Sequence, residues 1–152
     1  MIGCARLNVF TDHANGMLIV RPIGVMAGFD FVERLIEAYH NIEAPWSYNR
    51  LVDLRRFDGE LSNDNCESFA RAWARLTADV VYDTCIATVI TDQPCELRRP
   101  ERSARFPQET VCFFRDYHEA VGWLLADDRD AYLAGLGEMP EAQVTDTSVY
   151  IS

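Results

Sequence analysis

The residues best suited to chemistry in this 152-residue chain are arginines. Arg55 and Arg56 follow the apolar run Leu51-Val52-Asp53-Leu54, and Arg98, Arg99, Arg102 and Arg105 form a second group. A guanidinium is planar, permanently charged and presents a fork of N–H donors that fits a carboxylate or phosphate. Either group could therefore hold a small anionic ligand or a lipid-like headgroup. Arg55 and Arg56 leave a strand at its carboxyl end, where open α/β sheets bind ligands. On a helix, Arg98, Arg102 and Arg105 would share one face. The competing reading of the second group is a solvated surface paired with Glu96, Glu101 and their neighbours.

Other chemistries find less support. Ser62 stands at a helix start, where a phosphate would meet free N–H groups and the positive end of the dipole. Asp64 and Glu67 would repel that phosphate, and an ordinary N-cap also explains a serine there. His13, His40 and His118 are isolated, with no ligand pair or nucleophile near them in sequence. The five cysteines, Cys4, Cys66, Cys85, Cys95 and Cys112, are odd in number and form no CxxC, so neither a disulfide framework nor a zinc site is expected. Gly24 and Gly28 flank a turn but lack the G-x-G-x-x-G spacing and the P-loop lysine. No nucleophile elbow or H-E-x-x-H occurs. The expectation is no catalytic set, no metal and no cofactor.

The formal net charge is −10, which opposes nucleic-acid phosphates, so no nucleic-acid role is expected. All 14 basic residues are arginine, a pattern that genome-wide codon bias also produces. The start of the chain has no secretory signal pattern, and no apolar stretch approaches the ~20 residues of a membrane span. Together with the cysteine usage this predicts a cytoplasmic protein without a transmembrane segment.

The elements that must position these arginines alternate. Leu7–Asp12 and Met17–Arg21 read as strands joined by a hairpin through Asn15-Gly16. A helix from about Phe31 to Asn41 is expected, capped by Asp30 with Glu33. Then come a strand Arg50–Leu54, a polar loop, and a long helix from Ser62 or Asn63 to about Val81. Cys85–Thr91 is a nearly continuous apolar strand, as in sheets covered on both faces. Asp92 and Pro94 would open a short helix. Thr110–Arg115 is a fifth strand, and Asp116 with Glu119 caps another helix. From Asp127 the chain turns acidic, with six acids and one arginine, and only a weak helix near 130–136 is expected before a tail. Trp73 and Trp123 fit core packing; a sharper reading lets Trp123, Phe29 and Phe31 line an apolar pocket.

Several of these stretches together resemble the SpoIIAA-like family of bacterial proteins. They are the hairpin, Arg50-Leu51-Val52-Asp53-Leu54 with Phe57-Asp58-Gly59, and Phe69-Ala70-Arg71-Ala72-Trp73. Ile86 to Asp92, Val111-Cys112-Phe113-Phe114-Arg115-Asp116 and Glu119 to Leu124 complete the set. The resemblance covers about residues 7 to 126. It implies an α/β, STAS-like and SEC14-related fold: a mixed five-stranded sheet, mostly parallel with an antiparallel N-terminal hairpin strand, packed with about four helices. The domain is expected over 1–126, with 127–152 an acidic extension. STAS relatives bind partner proteins, some switched by phosphorylation at the position of Ser62, and SEC14 relatives bind lipids. The resemblance therefore implies a non-catalytic interaction or regulatory domain that binds a protein partner or self-associates. The alternative is a binder of a small apolar or anionic, lipid-like ligand, with an enzyme of unknown class third.

Overall fold

The computed structural model describes residues 5–91, 100–103 and 105–137. Strand β1 (Arg6–Asp12) and β2 (Met17–Val25) form the expected antiparallel hairpin, with Gly16 at φ 65° in its turn. Asn15 donates from its backbone and side chain to the Asp12 carboxylate, which closes the loop. Helix α1 (Gly28–His40) leads to β3 (Asn49–Asp53), and the two-residue β4 (Phe57–Asp58) precedes α2 (Asn63–Leu76). Then follow β5 (Thr84–Val89), the short β6 (Glu101–Arg102), β7 (Glu109–Phe114), α3 (Tyr117–Leu125) and α4 (Arg129–Gly137).

The sheet runs β1-β2-β3-β5-β7-β6, with β4 on the extended end of β2. Strands β2, β3, β5 and β7 are mutually parallel, so the class is the mixed, mostly parallel α/β sheet expected. The described sheet has seven strands rather than five. The two additions are two-residue strands that satisfy backbone groups the longer strands leave open. β4 pairs with Gly24 and Val25, where the Gly24 N–H donates to the Arg56 carbonyl and Met26 to that of Asp58. Glycine is required along this seam: Gly24 sits at φ 96°, and a Cβ on Gly59 would collide with the Met26 carbonyl. β6 pairs antiparallel with β7, so the first strand is not the only antiparallel one.

Alternation along each strand sends residues to opposite faces. One face carries Leu18, Val20 and Val52 against α1 and α2, with Phe31, Leu35, Tyr39 and Trp73 buried there. The other carries Met17, Leu51, Ala87, Val89, Cys112 and Phe114 against α3, where Trp123 and Leu124 are buried. α4 packs on α3 through Tyr132, Leu133 and Leu136, and Arg129 donates to the carbonyls of Trp123 and Leu124 at its C-terminal end.

Three local expectations change. α1 begins at Gly28, two residues before Asp30, with Ala27 at its N-cap and no side-chain cap, because Gly28 seats against the Glu60 carbonyl and anchors the helix start there. α2 ends at Leu76, not Val81: the Thr77 hydroxyl donates to the Trp73 carbonyl, Asp79 turns left-handed at φ 69°, and the chain reverses toward β5. Phe29, Phe31 and Trp123 share no pocket, since Trp123 lies in one core, Phe31 in the other and Phe29 outside both.

Candidate functional site

Two strands and one helix start build the site. Arg21 on β2 lies one residue past the last paired position, Val20 opposite Val52, and so stands beside Asp53 at the end of β3. Both point to the α3 face. Tyr117 opens α3, whose first turn is fixed by the Asp116 carboxylate accepting from the His118 and Glu119 N–H groups at 2.7 and 3.2 Å. Arg55 and Arg56 lie in the turn after β3, which the Gly24–Arg56 backbone bond ties to β2. Arg21, Asp53, Arg55, Arg56 and Tyr117 line an open cleft of about 480 Å³ at the carboxyl ends of the parallel strands.

The Asp53 carboxylate organises it. Oδ1 accepts from the Arg55 backbone N–H and Nε at 3.1 and 2.9 Å, while Oδ2 accepts from Arg55 Nη2 at 2.8 Å and Arg21 Nε at 3.2 Å. The Arg21 Nη2 also donates to the Tyr117 hydroxyl at 3.2 Å. The Tyr117 ring centre lies 5.0 Å from the Arg55 guanidinium carbon and 5.5 Å from that of Arg21, and the Phe10 ring centre lies 5.9 Å from the Arg21 carbon. Burial opposes ionisation of Asp53, yet its bonds from Arg55 and Arg21 hold the carboxyl below its usual range. Asp53 in turn raises the Arg55 guanidinium further. Asp53 is therefore a fixed anion with its lone pairs committed. Its side chain is 3% exposed, whereas those of Arg55 and Arg21 are 40% and 27% exposed and keep donor edges toward solvent.

The two arginine groups of the sequence do not form one site. Arg102 sits in β6 opposite Thr110, near the start of β7, and pairs with Asp83 at 3.2 Å. Arg105 lies in the bend after β6, paired with Glu67 at 3.2 Å and donating to Asn63. The helical face expected for Arg98, Arg102 and Arg105 fails because the chain at 101–102 takes the open edge of β7. Arg98 and Arg99 lie outside the described residues, as do Cys4 and Cys95. Ser62 is exposed and forms a reciprocal cap, accepting from the Asn65 N–H at 3.1 Å while its own N–H donates to the Asn65 side chain. Among the described residues no three His, Cys, Asp or Glu side chains gather as a metal set. His13 lies 3.3 Å from the Tyr48 hydroxyl in a separate polar depression.

Sequence reasoning found Arg55 and Arg56 but missed Arg21, Asp53 and Tyr117. A signal existed: Arg21 and Asp53 are opposite charges ending two apolar strands, and each falls on its strand's alternation where an apolar residue would otherwise sit.

The chain is thus a mixed α/β protein with an arginine-lined cleft at the edge of a mostly parallel sheet. No family model and no curated protein matches it. Among solved structures it is similar to an uncharacterized protein of the DUF3478 family with a SpoIIAA-like fold, from Shewanella loihica. The two are 18% identical, with a TM-score of 0.48 over 79% of this chain and 93% of that one. This is the fold family the sequence resembles, and no ligand or activity comes with the likeness. Among the described residues no helix is long and apolar enough to cross a membrane.

Proposed function

We propose that this chain is a non-catalytic binding domain that receives an anionic group of a partner, a carboxylate or a phosphate, in the cleft of Arg21, Arg55, Arg56 and Tyr117. The observation that carries the reading is the grip of one buried carboxylate on two guanidiniums. Asp53 and the Tyr117 ring fix Arg21 and Arg55 before any ligand arrives, which lowers the ordering cost of binding. Arg56 then leaves the cleft with more positive than negative side chains, in a chain of net charge −10. The same arrangement argues against catalysis there. A carboxylate held ionised by two arginines is a poor proton acceptor, and the lining offers no nucleophile paired with a base. An open, polar cleft suits a group presented on a protein surface better than an engulfed apolar ligand.

The test is a titration with succinate, inorganic phosphate and an acidic peptide, followed through the arginine Nε–Hε resonances. Shifts at Arg21 and Arg55 that saturate, and that vanish in Arg55→Ala, are expected. The strongest of the three ligands names the anion class. Shifts that are equal in Arg55→Ala, or confined to Arg102 and Arg105, overturn the assignment.

A further inference from the structure

We infer that β1 is a self-complementary edge through which two copies of this chain pair, antiparallel and centred on Val9. Among the described residues β1 pairs only with β2, so its outer backbone edge lies open over seven residues, Arg6–Asp12. Such edges are usually blunted by charge or by a covering element. Here the charges sit at the two ends with opposite sign. A twofold axis through Val9 pairs residue 6 with 12, 7 with 11 and 8 with 10, and it is the one antiparallel register that uses all seven residues. In that register Arg6 of each copy stands opposite Asp12 of the other, giving two cross-strand ion pairs where a random edge would have none or a clash.

The faces agree with this pairing. Leu7 and Val9 pack toward α1, so Val9 would meet its own copy on the half-buried side. Phe10 lies on the other face, beside Arg21, and is 47% exposed. The register sets Phe10 opposite Asn8 and places the two Phe10 residues on a diagonal whose backbone positions are about 7–8 Å apart, a separation that aromatic side chains span. An exposed aromatic is thereby covered by its own duplicate. Seven paired residues bury less than a standard interface of about 1,600 Å², so the dimer forms reversibly with concentration. The inference is independent of the anion cleft and stands or falls without it.

The test is sedimentation equilibrium of the full chain across about a hundredfold range of concentration. Wild type is expected to pass from monomer to dimer. Arg6→Asp places Asp against Asp12 twice and should weaken association on the order of tenfold. Asp12→Arg places Arg against Arg6 twice and should do the same. An equimolar mixture of the two variants restores both ion pairs and should associate as well as wild type. Asp12 also holds the hairpin turn, so circular dichroism checks that variant; if it does not fold, Arg6→Asp at an exposed position decides alone. A wild type that stays monomeric at every concentration overturns the inference. So does a dimer that Arg6→Asp leaves intact, or variants that fold but fail to associate when mixed.

Discussion

Replacing Arg50 by Met tests the most consequential interaction of the core. Arg50 is 2% exposed and Glu109 0%, and the two form an ion pair across β5 on the α1–α2 face. The guanidinium carbon lies 4.4 Å from the Trp73 ring centre and 5.8 Å from that of Tyr39. Trp73 Nε1 donates to the Tyr82 hydroxyl at 2.7 Å, and Tyr82 donates to Glu109 at 2.8 Å. Burial opposes the charge on Arg50, and Tyr39 and Glu109 hold it protonated. Removing one member of a buried pair costs about 3–5 kcal/mol because the other charge stays buried. Tyr82 would still donate to Glu109, which places Arg50→Met near the lower end, about 3 kcal/mol. That is a large part of the 5–15 kcal/mol by which a domain of this size is usually stable.

Urea denaturation followed by tryptophan fluorescence reads this directly, since Trp73 is in the network. In the double variant Arg50→Met/Glu109→Met no charge is stranded, and the main remaining loss is the acceptor of the Tyr82 hydroxyl, about 1–3 kcal/mol. The double variant should therefore be more stable than Arg50→Met, with a coupling of about 2 kcal/mol or more. Because the pair is excluded from solvent, the loss should be the same at low and high salt. The reasoning is refuted if Arg50→Met costs under about 1 kcal/mol, if the cost shrinks in high salt, or if the double variant is no better than the single.

Two further outcomes follow from local geometry. Burial, then the bond and charge of Glu109, push the Tyr82 hydroxyl up to about 12, against a contribution from Trp73 that lowers it. A raised pKa in the folded state contributes stability that is whole below the unfolded value of about 10 and is lost as pH rises through the folded one. An unfolding profile from pH 9 to 12.5 should fall across that window in wild type and flatten in Tyr82→Phe; equal slopes would count against the assignment. Gly59→Ala sets a methyl against the Met26 carbonyl, which is backbone and cannot swing away. It should cost more than about 1 kcal/mol, measured by thermal melting. Gly122→Ala, whose methyl first meets the side-chain end of Tyr132 rather than backbone, should cost less.

Much of the fold was legible because hydrophobic period encodes it. The hairpin turn, the apolar β5 and the Asp116 cap each follow from residues within a few positions of one another. What failed depends on distant partners. Residues 101–102 form a strand because β7 offers an edge, a fact written in residues 109–114. The α1 start is set by Glu60, thirty-two residues beyond Gly28. The cleft has the same character: Arg21 and Asp53 are 32 residues apart, and Arg21 and Tyr117 are 96 apart. Arg55 and Arg56 could be singled out by type and by the strand end before them. Their partners required the register of β2 on β3.

Strand β3 then explains why the same chemistry serves two ends. Arg50 and Asp53 are three positions apart, so they point to opposite faces of the sheet. Arg50 enters near the start of the strand, where α1 and α2 close over it, and its charge must be met inside by Glu109. Asp53 sits at the carboxyl end, where the covering helix only begins, so its arginine partners reach solvent. A charge in the first position specifies packing, because no outside group can reach it. A charge in the second can specify recognition, because Asp53 fixes the guanidiniums without using all their donors. In a chain of net charge −10 a diffuse field would repel anions. Short-range, oriented donors are then the means left for holding one, and the end of β3 supplies them.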